Sequence, residues 1–571
     1  MKLKPIFCHL RSFSAVSMTL SLLLVAAPAQ AEGAGNFMIA AANPYAAAAG
    51  RDMLAKGGSA VDAAIATQMI LTLVEPQSSG IGGGAFLLHF DGAMRELETY
   101  DGREMAPAAV QEDHFLKKDG TKKKFYEAVV GGGSVGAPGV VAMLELAHMD
   151  HGKLTWEELF TPAIKLARDG FPISKRLHFL LERDKYLKTK TTAADYFYTA
   201  AGNAKPVGTI LRNPELADTL ARIAKEGSAA FYSGKIANDI VKAVQSDTAN
   251  PGLLTLADLA NYRAVKREPV CGDYRIYVVC GMGPPTSGGI TMLQTLKILE
   301  NWDMAATAPG STEAIHHISQ ASALAFADRG KYLGDADFVD IPLPNMLGET
   351  YLQTRAKQID PILSKIPFEA GNPVEKQGAL GVDSAVELPS TSHFSIVDSD
   401  GNAVSMTTSV ENVFGSRLMV DGFILNNQLT DFSFKPTSKD GPVNNRIQPG
   451  KRPRSSMSPT IVLDDGGNLY MVIGSPGGSR IIGYVTSTVI GVLDWGMDMQ
   501  SAINMPHHIN RNGTLDLEQG TALEALTPTL ERLGYKVKSR TLNSGLHGIL
   551  VTKDGLQGGA DIRREGVVLD Q

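Results

Sequence analysis

The chain is poor in cysteine. Cys8, Cys271 and Cys280 are its three in 571 residues, which excludes a disulfide scaffold. Aromatic residues make up only 7%, so close backbone packing, not stacked rings, must build the core. No basic tract is present and the net charge is -6, which argues against nucleic acid as a partner. No H-E-x-x-H occurs. The pairs His316-His317 and His507-His508 put neighbouring rings on different faces, so no metal and no cofactor is expected. Past the first thirty residues, no apolar run reaches the roughly 18 residues of a membrane span.

The N-terminus reads as an export signal. Lys2, Lys4 and Arg11 precede a largely apolar run from Ala15 to Ala27, and Ala29-Gln30-Ala31 offers a small-residue cleavage site. Residues 1–31 are read as a signal peptide, and the mature protein as periplasmic or secreted. Loss of those three cations makes the remainder more acidic. The two remaining cysteines flank Gly-Asp-Tyr-Arg-Ile-Tyr-Val-Val. If that piece is one extended strand, nine steps of about 3.3 Å separate the sulfurs. Two buried free thiols are therefore expected.

Pro44 to Lys56 predicts an Ala-rich helix ended by Gly57-Gly58. Ser59 caps the next, with Asp62 placed for a capping box and Val61, Ile65, Met69 and Leu73 as its apolar stripe. Strands are expected at 85–90 and 95–100, and helical pattern dominates 140–244 and 287–357. From Thr391 the texture changes to short strands and Gly turns, with one helix near 479–493. Glu369 to Pro389 has Gly, Pro and charge but no sustained period, so it reads as a linker. The chain divides into a helical large part and a sheet-rich small part joined by a cleavable seam.

Pro389-Ser390-Thr391-Ser392-His393 stands at that seam. A mid-chain threonine does little chemistry. If the Ser390–Thr391 bond is cut, Thr391 gains a free α-amine beside its hydroxyl, a base already in place for a weak nucleophile. The strand then meets Asp400-Gly401 and returns as 403–409. A two-residue turn there sets Ser392 opposite Ser409 and Thr391 opposite Val410. A slip of one residue instead sets Thr391 opposite Ser409, where a second hydroxyl can orient the first.

Other segments carry chemistry. Gly474 to Arg480 lies between a strand and a helix, where the N–H groups of Gly477 and Gly478 can converge on an oxyanion. Arg452 to Pro459 sets Ser455 and Ser456 beside arginines, a carboxylate-binding composition. Asn426 to Asp431 offers Gln428 and Asp431 to an ammonium group. Arg103 follows a strand end. Gly132-Gly133-Ser134-Val135-Gly136 fits G-x-S-x-G, but Ala137-Pro138-Gly139 stops a helix from starting directly after the serine. Ser134 is set aside as a nucleophile.

In this order the pieces resemble the γ-glutamyltranspeptidase family, also called glutathione hydrolases. The markers are Gly57 to Ala64, Gly82-Gly83-Gly84, Arg103 to Pro107, Pro284 to Gly289, Ala327-Asp328-Arg329, Thr391-Ser392-His393, Asn426-Asn427-Gln428, Ser455 to Pro459 and Gly474 to Arg480. The resemblance covers nearly all of the chain after Phe37. It implies an α+β fold, the N-terminal-nucleophile αββα sandwich, with two stacked antiparallel sheets flanked by helices. It implies self-cleavage into a large subunit, 32–390, and a small one, 391–571, paired as a heterodimer. Thr391 is then the nucleophile toward glutathione and related γ-glutamyl compounds. Gly477 and Gly478 hold the oxyanion. Arg103, Ser455 and Ser456 bind the α-carboxylate, and Asp431, Gln428 and Glu411 bind the α-amine. The acyl group passes to water or to an amino-acid or dipeptide acceptor. A related acylase acting on glutaryl or β-lactam side chains is the alternative. Three features depart from the family's common pattern: Ser409 replaces threonine, Glu411 replaces asparagine, and the lid-like segment 434–450 is short and lacks tyrosine.

Overall fold

Residues 37–571, except 376, 377 and 384, are described by a computed structural model of the chain. The signal peptide read at 1–31 lies outside the described residues. Pro44 at the first helical position and the Asn43 side chain on Tyr45 N–H start helix α1 (Pro44–Ala55). Helix α2 (Ala60–Val74) carries the expected capping box between Ser59 and Asp62. Its stripe is no stripe, however, because all fifteen residues are buried. A helix enclosed on every side needs no polar face, and the Ala residues that blur its period allow neighbours to approach closely.

Two antiparallel sheets stack at the centre. The seven-stranded sheet runs in the order β13 (Val567–Asp570), β1 (Met38–Ala41), β7 (Ser392–Val397), β8 (Ala403–Ser409), β2 (Gly84–Asp91), β3 (Glu96–Gly102), β4 (Val265–Arg267). The six-stranded sheet runs β12 (Gly555–Ala560), β11 (His547–Thr552), β10 (Leu469–Gly474), β9 (Thr460–Leu463), β6 (Tyr277–Gly281), β5 (Val270–Tyr274). Every pairing in both is antiparallel. Helices α1 and α2 pack on the outer face of the first sheet through Phe394, Ile396, Val404 and Met406. Helices α4 (Gly288–Leu299), α5 (Thr312–Tyr332) and α6 (Ile481–Leu493) cover the second, with α3 (Val140–His151) beside β3. This is the expected αββα sandwich. Among the described residues, no helix is long and apolar enough to cross a membrane.

Strand alternation sets the site. Phe394 and Ile396 face the helices, so Thr391, His393 and Ser395 face the second sheet. The inner face is hydroxyl-rich. Ser395 Oγ donates to the His547 carbonyl at 3.1 Å and Ser405 Oγ to the Ile473 carbonyl at 3.0 Å. His393 bonds Thr407 Oγ1 (2.9 Å) and Ser395 Oγ (3.1 Å), and burial holds it well below its ordinary pKa. It is neutral, ties β7 to β8 within the first sheet, and presses its ring against Gly474 of the second. Gly474 allows this, since a Cβ there would sit 2.3 Å from the imidazole.

One open alternative is resolved and one expectation is corrected. Partner numbers across the β7–β8 hairpin pair Ser392 with Thr408, so the slipped register holds. Asp398 N–H donates to the Asn402 carbonyl around a three-residue loop with Gly401 at φ 80°, a turn that ends in a left-handed glycine. The cysteines are disulfide-bonded: Cys271 and Cys280 are opposite residues of the β5–β6 hairpin, with Cα atoms 4.1 Å apart. Arg275-Ile276 forms the turn, with Arg275 at φ 56°. No Gly, Pro or Asn announces it. We expect Cys280→Ser to lower the free energy of unfolding by about 2–3 kcal/mol, the loop-closure value for a loop of this size. Urea denaturation of the variant and the parent checks this, and equal midpoints would count against it.

Candidate active site

Thr391 stands one residue before β7 with φ 84°. That is an outlier for a β-branched residue. Its Oγ1 lies 3.0 Å from Ser409 Oγ, the contact that the slipped register creates. Ser409 Oγ in turn accepts from Glu411 N–H at 2.9 Å, leaving its own proton free toward Thr391. Gly83 makes room at this end of β8, because a Cβ there would sit 2.1 Å from the Ser409 carbonyl.

The peptide bond before Thr391 is held from the other side. The Ser390 carbonyl accepts from Gly477 N–H at 3.1 Å, and Ser390 Oγ donates to the Gln77 carbonyl at 2.9 Å. Gly477 and Gly478 have φ 138° and 61°, in the region that favours glycine. The Thr391 carbonyl accepts from Arg564 Nη1 at 2.8 Å.

Around these atoms lies a polar pocket lined by Arg103, Glu411, Gln428, Asp431, Ser455 and Ser456. About 20 Å³ of it is free, room for one water at most. Arg103 Nη2 bonds Asp431 Oδ2 at 2.5 Å, and its Nε donates to the Pro453 carbonyl at 3.0 Å. Arg103 Nη1 and Gln428 Oε1 are buried without a hydrogen-bond partner. Ser455 Oγ accepts from Met457 N–H at 3.0 Å. Ser456 Oγ bonds Glu387 and lies 2.6 Å from Arg329 Nη2, which also bonds Glu387. Glu387 belongs to the segment just before Thr391, and it fills the pocket.

The electrostatics are unusual. Burial pushes Asp431 up to about 7 against the pull of Arg103. Burial and Asp431 push Glu411 well above the usual carboxylate range, although Asn427 donates to it. Burial would also raise Glu387, but Arg329 and Arg454 overcome this and hold it low. Glu104 lies 3.6 Å from Arg103 Nη1 with neither oxygen hydrogen-bonded. That attraction does not offset desolvation, so Glu104 is pushed up to about 8.

The structure brings the sequence-predicted residues together: Thr391, Ser409, Glu411, Arg103, Gln428, Asp431, Ser455, Ser456 and Gly478 line one pocket, and Gly477 bonds the peptide beside it. Ser134 lies elsewhere, buried, with its hydroxyl donating to the Val129 carbonyl at 2.6 Å. Sequence reasoning missed Glu387, Arg329, Arg564 and Glu104. Arg329 and Glu104 fall inside quoted motifs, whereas nothing in the linker marks Glu387. Among the described residues, His89, Glu98 and His151 have metal-ligand chemistry within 4.8 Å. The two rings stack 3.7 Å apart at 19°, so in-plane lone pairs do not converge on one ion.

The Glu104 shift has a sign. Between about 4.5 and 8 the folded state keeps a proton that the unfolded state has lost, so stability falls as pH rises through that window. One such group contributes up to about 1.4 kcal/mol per pH unit. Glu104→Gln is expected to flatten the fall in unfolding free energy between pH 5 and 8; an unchanged slope by urea denaturation would refute the assignment.

Residues 46–570 match the family model for Gamma-glutamyltranspeptidase. A glutathione hydrolase proenzyme from Escherichia coli (strain K12) is 38% identical over 541 residues, spanning 92% of this chain and 90% of its own. Among solved structures, a cephalosporin acylase from Bacillus halodurans superposes with a TM-score of 0.81 at 27% identity, over 94% of this chain and 96% of that one. The Helicobacter pylori gamma-glutamyltranspeptidase gives 0.54 at 33% identity, over 58% and 93%. A pocket built around a threonine at the head of a strand, on an N-terminal-nucleophile sandwich, accords with these matches: the chain belongs to the γ-glutamyltranspeptidase family and is an enzyme of γ-glutamyl hydrolysis and transfer.

Proposed function

We propose that the chain cuts itself between Ser390 and Thr391 and that the new N-terminal threonine then cleaves the γ-glutamyl amide of glutathione and related compounds. The observation that carries this is the double hold on one peptide bond: Thr391 Oγ1 on Ser409 Oγ at 3.0 Å, and the Ser390 carbonyl on Gly477 N–H at 3.1 Å. Thr391 Oγ1 attacks the Ser390 carbonyl carbon, and Gly477 stabilises the oxygen as it gains charge. The C–N bond breaks, and the hydroxyl proton ends on the nitrogen. Water hydrolyses the resulting ester, freeing the Ser390 carboxylate, the Thr391 hydroxyl and its α-amine. The φ of 84° at Thr391 stores about 1–3 kcal/mol that scission releases. The products are a large subunit, 32–390, and a small one, 391–571, held together by the shared sheets.

In the cut enzyme, the α-amine takes the Thr391 proton while Oγ1 attacks the γ-carbonyl. Gly477 and Gly478 N–H groups receive the oxyanion. A γ-glutamyl ester forms on Thr391, the amine leaves with a proton, and water or an acceptor amine displaces the ester. Arg103, with Ser455 and Ser456, takes the α-carboxylate. Asp431, with Gln428 and Glu411, takes the α-amine. The support is chemical. A free α-amino acid end needs a fixed cation beside a fixed anion, and Arg103 and Asp431 are such a pair. The unpartnered Gln428 Oε1 suits an ammonium, and the Glu387 carboxylate already rests on Ser456. The acylase alternative shares this fold but has no use for an amine clamp. The charged N-terminus further suggests export to the periplasm or beyond.

Thr391→Ala is expected to leave one uncut chain without activity, where the parent gives two bands in roughly a 2:1 mass ratio on a denaturing gel. Processed Thr391→Ala would refute the nucleophile. Arg103→Lys is expected to raise KM for γ-glutamyl anilides about tenfold or more, since an ammonium cannot reproduce a guanidinium's fork. An unaltered KM in steady-state kinetics would remove Arg103 from carboxylate binding.

A further inference from the structure

Arg103 is placed by groups that do not line the pocket. Asp101, near the end of β3, accepts the Arg103 N–H on Oδ1 at 2.8 Å. The same oxygen accepts from Arg452 Nη1 at 2.9 Å, and that nitrogen also donates to the Arg103 carbonyl at 3.1 Å. Tyr262 OH donates to the same carbonyl at 2.8 Å. All four residues are buried. Arg103 lines the pocket around Thr391, whereas Asp101, Tyr262 and Arg452 stand behind it.

The hold is reciprocal. Arg452 grips the Arg103 main chain, and the two residues after Arg452 grip the Arg103 head. Arg103 Nε donates to the Pro453 carbonyl at 3.0 Å and Nη2 to the Arg454 carbonyl at 3.1 Å. Ser455 and Ser456 follow directly. The two segments read as carboxylate-binding, one leaving β3 and one approaching β9, are thus locked to each other. The lock is itself braced. Arg267 Nε, on β4, donates to the other Asp101 oxygen at 2.6 Å. Asp335 accepts from Arg452 N–H at 2.8 Å, and Arg452 Nη2 donates to the Arg263 carbonyl at 2.7 Å. The Tyr262 ring stacks on Tyr232 at 5.6 Å and 5°, with the Arg452 guanidinium 5.5 Å from its centroid. Gly139 leaves room for the hydroxyl, since a Cβ there would sit 2.0 Å from it.

We propose that Tyr262 and Arg452 are positioning residues for substrate recognition: they fix the Arg103 main chain so that its guanidinium and the Ser455 and Ser456 hydroxyls meet one α-carboxylate. The proposal rests on the γ-glutamyl reading above. Its physical basis is that a fork of N–H donors recognises a carboxylate only when it is correctly aimed, because hydrogen bonds weaken steeply as they bend. Arg103 Nη1 has no hydrogen-bond partner, so it is the donor left for a ligand. Arg103 and Tyr262 precede the proposed scissile bond and Arg452 follows it, so the lock needs both parts of the chain. Neither Tyr262 nor Arg452 bonds Thr391, Ser409 or Gly477, so their loss should be felt in substrate binding and not in the chemical step.

The test is a double-mutant cycle in steady-state kinetics with a γ-glutamyl anilide. Tyr262→Phe keeps the ring and removes one hydroxyl. It is expected to raise KM about threefold to tenfold, the worth of one hydrogen bond, with kcat within about twofold of the parent. In an Arg103→Lys background the same substitution is expected to change KM by less than about twofold, because a group that acts through Arg103 has nothing left to aim. Arg452→Lys keeps the charge but not the fork. It is expected to follow the same pattern, and it carries the test should Tyr262→Phe fail to fold. Equal KM factors in both backgrounds overturn the proposal, as does a loss confined to kcat. An unchanged KM in both single variants overturns it too. If Arg103→Lys itself leaves KM unaltered, the carboxylate role of Arg103 fails first, and absence of anilide turnover by the parent sinks the γ-glutamyl reading beneath both.

Discussion

One peptide bond organises this molecule. Ser390–Thr391 is gripped at its carbonyl by Gly477 N–H and at its side chain by Ser409. Those partners come from the end of the second sheet and from the neighbouring strand of the first. The stacked sheets, the glycines that let backbones approach, and the hydroxyl-lined inner face all serve to fix three atoms within hydrogen-bond reach. The register of β7 against β8 is the sharpest of these requirements. A shift of one residue would set Val410, not Ser409, opposite Thr391 and turn every side chain of the strand to the other face.

Burial decides the charges around it. Burial raises carboxylates, and here Glu104 and Asp431 flank Arg103 while Glu411 lies beside Asp431. With all three ionised, the site would be strongly anionic and would repel a substrate carboxylate. With Glu104 and Glu411 protonated, it is close to balanced: a cation, an anion and neutral donors, which is what a zwitterion's end requires. Glu411 is therefore compatible with glutamyl binding as a hydrogen-bonding neutral acid. That removes the conflict its charge would otherwise raise.

Much of this was legible in the sequence, and the failures have physical causes. The cap at Ser59, the hairpin that follows Thr391 and the helix after Gly478 follow from local rules that hold at short range. The αββα architecture and the site roles came from the ordered motifs, since strand pairing across more than three hundred residues has no local signal. The β7–β8 register went unresolved because Asp-Gly suits either a two-residue or a three-residue turn, and only packing chooses. The disulfide went unseen because Arg275-Ile276 turns a hairpin with ordinary residues. The fully buried α2 looked amphipathic because four large residues fell on one side among alanines. Glu387 was invisible because its role is tertiary: nothing in a linker indicates which carboxylate will find Ser456 and Arg329.

The linker's charges explain how such a site can be assembled before it has a substrate. Buried arginines without counterions are costly, so Arg329 and Arg454, both buried, would oppose folding if left unpaired. Asp383 and Glu387 supply the missing charges from the same chain, at an effective concentration that no free ligand matches. Glu387 also occupies Ser456 and Arg329, so the proposed substrate pocket is blocked in the uncut chain. The proposed scission would end the covalent tie that keeps them there. The new C-terminus would then be one more carboxylate beside Arg329 and Arg454. Folding and blockage of the pocket thus rest on the same ion pairs, and the proposed scission would relieve the blockage.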